Sequence, residues 1–232
     1  MWPKLHASQV RKLRQRNGVG FRLYPRKLKS GKVQQDYDKK KAHALRRCWP
    51  YGSGKTTTTI QLLNNEWAAD SQYINPDNIA QETFGDWNSP EAVLKAAEEA
   101  TRLRYECLEH GRDFVFETVF SAPEKLEFLR KAKDAGFFIR LFYVCTSDPT
   151  INVARITQRY LNGGHEVPIS KIISRYYKSL VNANKAITFV DRAYVYDNSI
   201  DNQLPRLLFR TTDGNLFKQY TEDIPDWAKT LI

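Results

Sequence analysis

The 232-residue chain holds only three cysteines, Cys48, Cys107 and Cys145. They are too few and too scattered for a disulfide framework or a zinc site, so a reduced compartment, the cytoplasm, fits best. No apolar run reaches the ~20 residues of a membrane-spanning helix. No apolar signal-peptide core opens the chain. There are no internal repeats, and no low-complexity runs past residue 48. What is present, 41% apolar and 27% charged residues, suffices for one domain with a proper core, or for a domain plus an appendage.

The formal charge of +10 suggests nucleic acid until it is mapped. Residues 1–48 carry 15 Lys and Arg against Asp36 and Asp38, a net of +13, and residues 49–232 carry 21 bases and 24 acids, a net of −3. Any polyanionic partner is therefore a matter for the first 48 residues alone. That segment has sparse apolar residues with no helical or strand period. It reads as a disordered basic tail, a transit peptide, a nucleic-acid arm or an out-of-frame translation. The domains expected are residues 1–48 and 49–232.

From residue 56 onward the pattern is regular. Helices are expected at 56–64, 90–110, 122–135, 149–161 and 169–186, and strands at 71–75, 114–116, 137–144 and 193–196. Ser89 suits an N-cap, Pro90 a first helical position, and Gly111 and Gly136 helix ends. Alternating strands and helices argue for an α/β fold with a mostly parallel sheet. Asp213-Gly214 between two apolar runs predicts a small C-terminal β-hairpin, and 226–232 a terminal helix.

Gly52-Ser53-Gly54-Lys55-Thr56 is the second half of a Walker A loop, G-x-x-x-x-G-K-[ST]. Small residues let backbone N–H groups wrap a phosphate, and the helix that follows from Thr56, with Thr57 in its first turn, points its positive end at the anion. Lys55 would bridge the β- and γ-phosphates of ATP, and Thr56 would ligate Mg²⁺. The front of the motif is broken. Trp49 stands where its first glycine belongs, and the run ahead of it, which includes Arg46-Arg47-Cys48, does not read as a buried strand.

The genetic code offers an account. Trp followed by Pro, read one base later, must contain the glycine codon GGC. With suitable codons, residues 42–51 shifted by one base, with a single A restored in the last codon, become Pro-Thr-Leu-Tyr-Val-Val-Ala-Gly-Pro-Asn. That is an apolar strand and a complete loop running in frame into Gly52. The rival is a native basic tail with a degenerate loop.

Five further motifs follow in order: Tyr73-Ile74-Asn75-Pro76-Asp77; Phe116-Glu117-Thr118-Val119-Phe120-Ser121; Gly163-Gly164-His165-Glu166-Val167-Pro168; Arg175-Tyr176; and Tyr196-Asp197-Asn198-Ser199. Over about residues 52–200 the chain resembles the zeta toxin family of P-loop kinases, especially its short, stand-alone members. The resemblance implies an adenylate kinase- or shikimate kinase-like fold. It implies ATP-dependent phosphorylation of a UDP-amino sugar, typically the 3′-hydroxyl of UDP-N-acetylglucosamine. It makes Asp77 the general base, with helix capping as the alternative from the residues alone. Glu117 and Thr118 become substrate contacts, with service to Mg²⁺ or a helix cap as other readings of Glu117.

Arg159 and Arg175, and with less weight Arg155, would close a lid over the transferring phosphoryl group, beside His165 as a loop residue. Asp197-Asn198-Ser199 would lie near the nucleotide base or form a plain turn. Tyr176, Tyr177 and Phe189 are expected in the core. A separate antitoxin is an open partner, and nucleic acid and membrane are not expected. Two alternatives to the active kinase stay open: a crippled member of the same fold, and a nucleic-acid-associated protein acting through its basic arm.

Overall fold

The computed structural model describes residues 71–85, 89–162 and 166–232 in full, and the backbone of 43–49. By internal contacts the chain divides into residues 1–37 and 38–232, and all described residues lie in the second unit. The elements are β1 (His43–Trp49), β2 (Gln72–Ile74), α1 (Pro76–Phe84), α2 (Pro90–Glu109), β3 (Phe114–Val119), α3 (Pro123–Asp134) and β4 (Phe138–Cys145). Then come α4 (Pro149–Leu161), α5 (Ile169–Ile187), β5 (Arg192–Asp197), β6 (Arg206–Thr212), β7 (Asn215–Gln219) and α6 (Asp226–Lys229).

The described strands form one sheet in the order β2-β3-β1-β4-β5-β6-β7. β1 to β5 run parallel, and β6 and β7 extend the sheet antiparallel. The parallel part follows from strands without polar alternation. All eight residues of β4 are buried, as are the first four of β3, which is how a strand covered on both faces reads.

The structure corrects the sequence reading at the centre of this sheet. A strand does precede the phosphate-binding half-motif. The backbone of β1 pairs with β3, Ala44 opposite Phe114 through Trp49 opposite Val119, and with β4, His43 opposite Phe138 through Cys48 opposite Tyr143. Side-chain pattern hid it, because Arg46-Arg47 breaks the apolar run. Backbone pairing reveals it, because β3 and β4 each present an edge to the same intervening strand. The expected hairpin is present and extends this sheet. β6 pairs with β5 from Arg192 opposite Thr212 to Asp197 opposite Arg206. The hairpin turn itself is as expected, with Asp213 and Gly214 both at positive φ, 49° and 79°, the two-residue turn whose twist matches the strands.

Helix ends follow local chemistry. Ser89 Oγ accepts from the Ala92 N–H at 3.0 Å, with Pro90 at the first position of α2. Gly111 and Gly136 take φ of +60° and +85° just past α2 and α3, a backbone that other residues rarely adopt.

The main core lies on one face of the sheet, where α2, α3 and α5 bring Ala100, Cys107, Phe128, Leu129, Ala183 and Ile187 against Phe114, Phe116, Ile139 and Leu141. Arg104 is buried there too, its guanidinium over the rings of Phe116 and Phe128. On the other face Val115 and Phe142 pack with Tyr73, Tyr194 and Tyr196. Of the three aromatics expected in the core, Tyr176 is buried and Phe189 packs against it, but Tyr177 is 55% exposed. α5 turns Tyr177 outward one position past Tyr176, as the helical period requires.

The C-terminal tail is sewn into the core. Trp227 is buried, meets Tyr143 edge-on at a centroid distance of 6.3 Å, and is followed by buried Ala228 and Leu231. Asn184 Nδ2 of α5 donates to the Thr230 carbonyl. Truncating so large a buried ring leaves a cavity, so Trp227→Ala is expected to cost about 3–5 kcal/mol. Denaturant unfolding tests this, and an unchanged midpoint would show that the tail does not support the fold.

Candidate functional site

The strand order creates one favoured place for a ligand. The chain leaves central β1 for the edge strand β2, returns to β3, then crosses to β4 on the other side of β1. In open parallel sheets ligands bind outside the carboxyl ends of the strands where the connections diverge, here at β1 and β3. Gly52 follows the end of β1 by three residues. Gly52, Ser53, Gly54, Lys55, Thr56 and Thr57 lie outside the described residues, as does His165.

Asp77, just beyond β2, and Glu117, on the adjacent strand β3, are brought to this edge. Asp77 is exposed in the first turn of α1, just beyond the end of β2. It is not the helix cap. Asn75 is, its side chain accepting from the Asp77 backbone N–H at 2.9 Å. The Asp77 carboxylate is thereby left for other chemistry.

Glu117 is 7% exposed. β3 does not end before it, as the sequence suggested, but runs through it to Val119, and Cα pairing places it opposite Arg47 of β1. The cap reading of Glu117 also fails, because α3 begins six residues later after Ala122, with no side-chain cap. A carboxylate so buried needs donors. Tyr73 supplies one, its hydroxyl donating to Glu117 Oε1 at 2.8 Å, while Asn75 Nδ2 donates to the Tyr73 oxygen at 3.0 Å. Thr118 is half-buried beside Glu117, its hydroxyl donating to the Val119 carbonyl at 3.3 Å. The motif Tyr73-Ile74-Asn75-Pro76-Asp77 gives no role to Tyr73 or Asn75 by itself. The signals were an Asn directly before Pro-Asp, and a Tyr one residue before the end of a strand.

The arginines separate into two kinds. Arg159 is exposed in the last turn of α4, and Arg175 is half-buried on α5, the two helices flanking residues 163–165. Arg155 is committed elsewhere. Its guanidinium holds Asp201 at 2.6 Å and the Asn198 carbonyl at 2.9 Å, anchoring the loop after β5 to α4. Together with Ile200, Leu204 and Pro205 these residues line a cavity of about 340 Å³.

Asp197-Asn198-Ser199 closes the ends of β4 and β5. The Asn198 N–H donates to the Cys145 carbonyl at 2.8 Å, the Ser147 N–H donates to Ser199 Oγ at 2.8 Å, and Ser199 Oγ donates to the Asp197 carboxylate. Cys145 is a packed thiol, pushed up to about 12 by burial, and burial also raises Cys107, whose Sγ donates to Gln72 Oε1 at 3.3 Å. Among the described residues no three His, Cys, Asp or Glu side chains cluster as a metal site. No described helix is long and apolar enough to cross a membrane.

Comparisons with known proteins bear on this arrangement. The zeta toxin family model matches residues 51–204. An uncharacterized protein of Haemophilus influenzae is 29% identical over 133 residues, 57% of this chain and 91% of that one. Among solved structures, one from the PezAT chromosomal toxin–antitoxin system of Streptococcus pneumoniae superposes with a TM-score of 0.54 at 16% identity, covering 83% of this chain and 77% of that one. AvrRxo1-ORF1:-ORF2 with ATP superposes with a TM-score of 0.57 at 12% identity, covering 78% of this chain and 62% of that one. At these identities the superpositions speak for the fold, an α/β P-loop kinase fold. The family match spans well over half of the chain and begins beside the phosphate-binding half-motif, and with it the chain belongs to the zeta toxin family of P-loop kinases.

Proposed function

We propose that this chain transfers the γ-phosphoryl group of ATP to a hydroxyl of a UDP-amino sugar, with UDP-N-acetylglucosamine as the first acceptor to test. The observation that carries the reading is the pair of carboxylates, Asp77 exposed just beyond β2 and Glu117 buried in the carboxyl half of β3, next to β1. A phosphoryl acceptor needs a group to take its proton and a group to hold it in line.

Each residue then has a task. The backbone of Gly52 to Thr57 and the Lys55 ammonium would hold the β- and γ-phosphates. Magnesium at phosphoryl-transfer sites takes one or two protein ligands and fills its shell with phosphate and water, so Thr56, with Glu117 in reserve, is a donor set of the right kind. Bound with ATP, the ion would neutralise charge on the β- and γ-oxygens. Asp77 would accept the sugar hydroxyl proton as the oxygen–phosphorus bond forms and the bond to the ADP oxygen breaks. Glu117 and Thr118 would orient the sugar. Arg159 and Arg175 would meet the charge on the transferring group when α4 and α5 close. The cavity beside Arg155 and Asn198, at the carboxyl end of β5, is proposed for the nucleotide base.

The structural neighbours also come from two-protein systems, a toxin–antitoxin system and an ORF1:ORF2 complex. A separate partner protein is the corresponding proposal here. The test of the reaction is ATP turnover with and without UDP-N-acetylglucosamine, read as a phosphorylated sugar nucleotide by mass. Turnover indifferent to every UDP-sugar would overturn the acceptor class.

A second reading, a weakened enzyme, rests on one observation. A strand paired on both edges at the centre of a parallel sheet ordinarily carries apolar residues, and β1 as written is His-Ala-Leu-Arg-Arg-Cys-Trp.

A further inference from the structure

We propose that Tyr73 and Asn75 are positioning residues: a one-way hydrogen-bond relay that orients Glu117 and ties it to the helix turn carrying Asp77. The catalytic consequence rests on the reaction proposed above, but the relay itself does not.

The direction of the relay follows from what each group can donate. An Asn side chain has one acceptor end and one donor end. The Asp77 N–H, 2.9 Å away, claims the Oδ1 end, which turns Nδ2 toward the Tyr73 oxygen at 3.0 Å. With that oxygen accepting from Asn75, the phenolic proton is directed to Glu117 Oε1 at 2.8 Å. Each donor has an acceptor, and the chain ends on a carboxylate.

Packing alone does not call for the hydroxyl. The ring of Tyr73 lies with Val115 and Phe142, and a phenylalanine would fill the same space. The strand register explains the reach. Tyr73 stands opposite Val115, and Glu117 lies two residues further along the same face of β3. The cap of α1, the end of β2 and the buried carboxylate therefore move as one unit. A change in the rotamer of Glu117 is felt at the turn that carries Asp77, and the reverse holds.

The variants Tyr73→Phe and Asn75→Asp in the full chain separate this from a packing role. Tyr73→Phe keeps the ring. Asn75→Asp keeps the helix cap, since Asp caps as well as Asn, but removes the donor, so the phenolic proton turns to the new carboxylate. NMR reads the relay without any turnover. Tyr73→Phe should speed exchange of the Asp77 amide about tenfold, as its acceptor loses its fixed orientation. Asn75→Asp should move the Tyr73 Cζ resonance.

In turnover with UDP-N-acetylglucosamine, both variants should lose about 10- to 100-fold in kcat/KM for the acceptor, with KM for ATP close to the unchanged protein and Tm lowered by only a few degrees, the loss of one hydrogen bond to a buried carboxylate. If neither resonance responds, there is no relay. If the resonances respond but acceptor kinetics do not, the positioning role is overturned. If the unchanged protein turns over no UDP-sugar while the resonances respond, the acceptor class fails and the relay stands.

Discussion

Replacing residues 42–51 by Pro-Thr-Leu-Tyr-Val-Val-Ala-Gly-Pro-Asn is expected to raise kcat/KM for ATP by about 100-fold or more, the scale of building or removing oriented donors at a phosphoryl site. Two independent observations support this. The first is genetic: with suitable codons, a one-base shift of residues 42–51 and a single restored base give an apolar strand and the missing front of the Walker loop, with glycine where Trp49 stands. The second is structural: β1 occupies the central position of the sheet, hydrogen-bonded to β3 and β4, where an apolar strand belongs.

Only glycine lets the backbone approach a phosphate as closely as the first loop position requires. The replaced chain should therefore also melt at a higher temperature, and its ATP affinity should depend on Lys55. Sequencing the gene across the codons for Lys39 to Lys55 comes first. A one-base gap at Tyr51 with an open upstream frame makes the basic segment an artefact of translation. Stops in the shifted frame would make Trp49 native, and equal ATP affinity of the two chains would end the argument from the loop.

Asp77→Ala should lower the rate of sugar phosphorylation by about 10²- to 10⁴-fold, the usual worth of a general base. ATP affinity and Tm should hold, because Asn75 rather than Asp77 caps α1 and the Asp77 side chain is exposed. Lys55→Ala should lose ATP affinity as well as rate, which separates the phosphate grip from proton transfer. A full rate in Asp77→Ala would remove the general-base assignment and turn attention to Glu117.

The described elements were largely legible where periodicity and punctuation agree. α2 has a Ser-Pro start, a run of Ala and Leu and a Gly stop, and its bounds fall within a residue of those expected. α4 matches residue for residue. β1 was illegible because strand pairing is a property of neighbours. Nothing in His-Ala-Leu-Arg-Arg-Cys-Trp announces that β3 and β4 lie on either side. The hairpin was legible as a turn but not as an extension of the sheet, since a turn motif says nothing of the third strand.

At the site, motif order singled out Asp77 and Glu117. It did not supply the partners that hold them, because the bond from Tyr73 to Glu117 spans 44 residues. The family resemblance gives Arg155, with less weight than Arg159 and Arg175, a place in the lid. Arg155 is a loop anchor because Asp201 and the Asn198 carbonyl lie within reach.

The placement of β1 also sets a timetable. Ala44 pairs with Phe114 and with Ile139, so β1, the earliest made of the described strands, waits longest for both its neighbours. At synthesis rates of about 5–20 residues per second, that wait lasts on the order of 5–20 s. Until β4 emerges from the ribosome, β1 can pair only along its β3 side, leaving an unpaired strand margin open to other chains. Folding should therefore be slow, dominated by distant pairings. A nascent chain whose β1 pairs weakly would be a candidate for chaperone retention or aggregation before its active site exists.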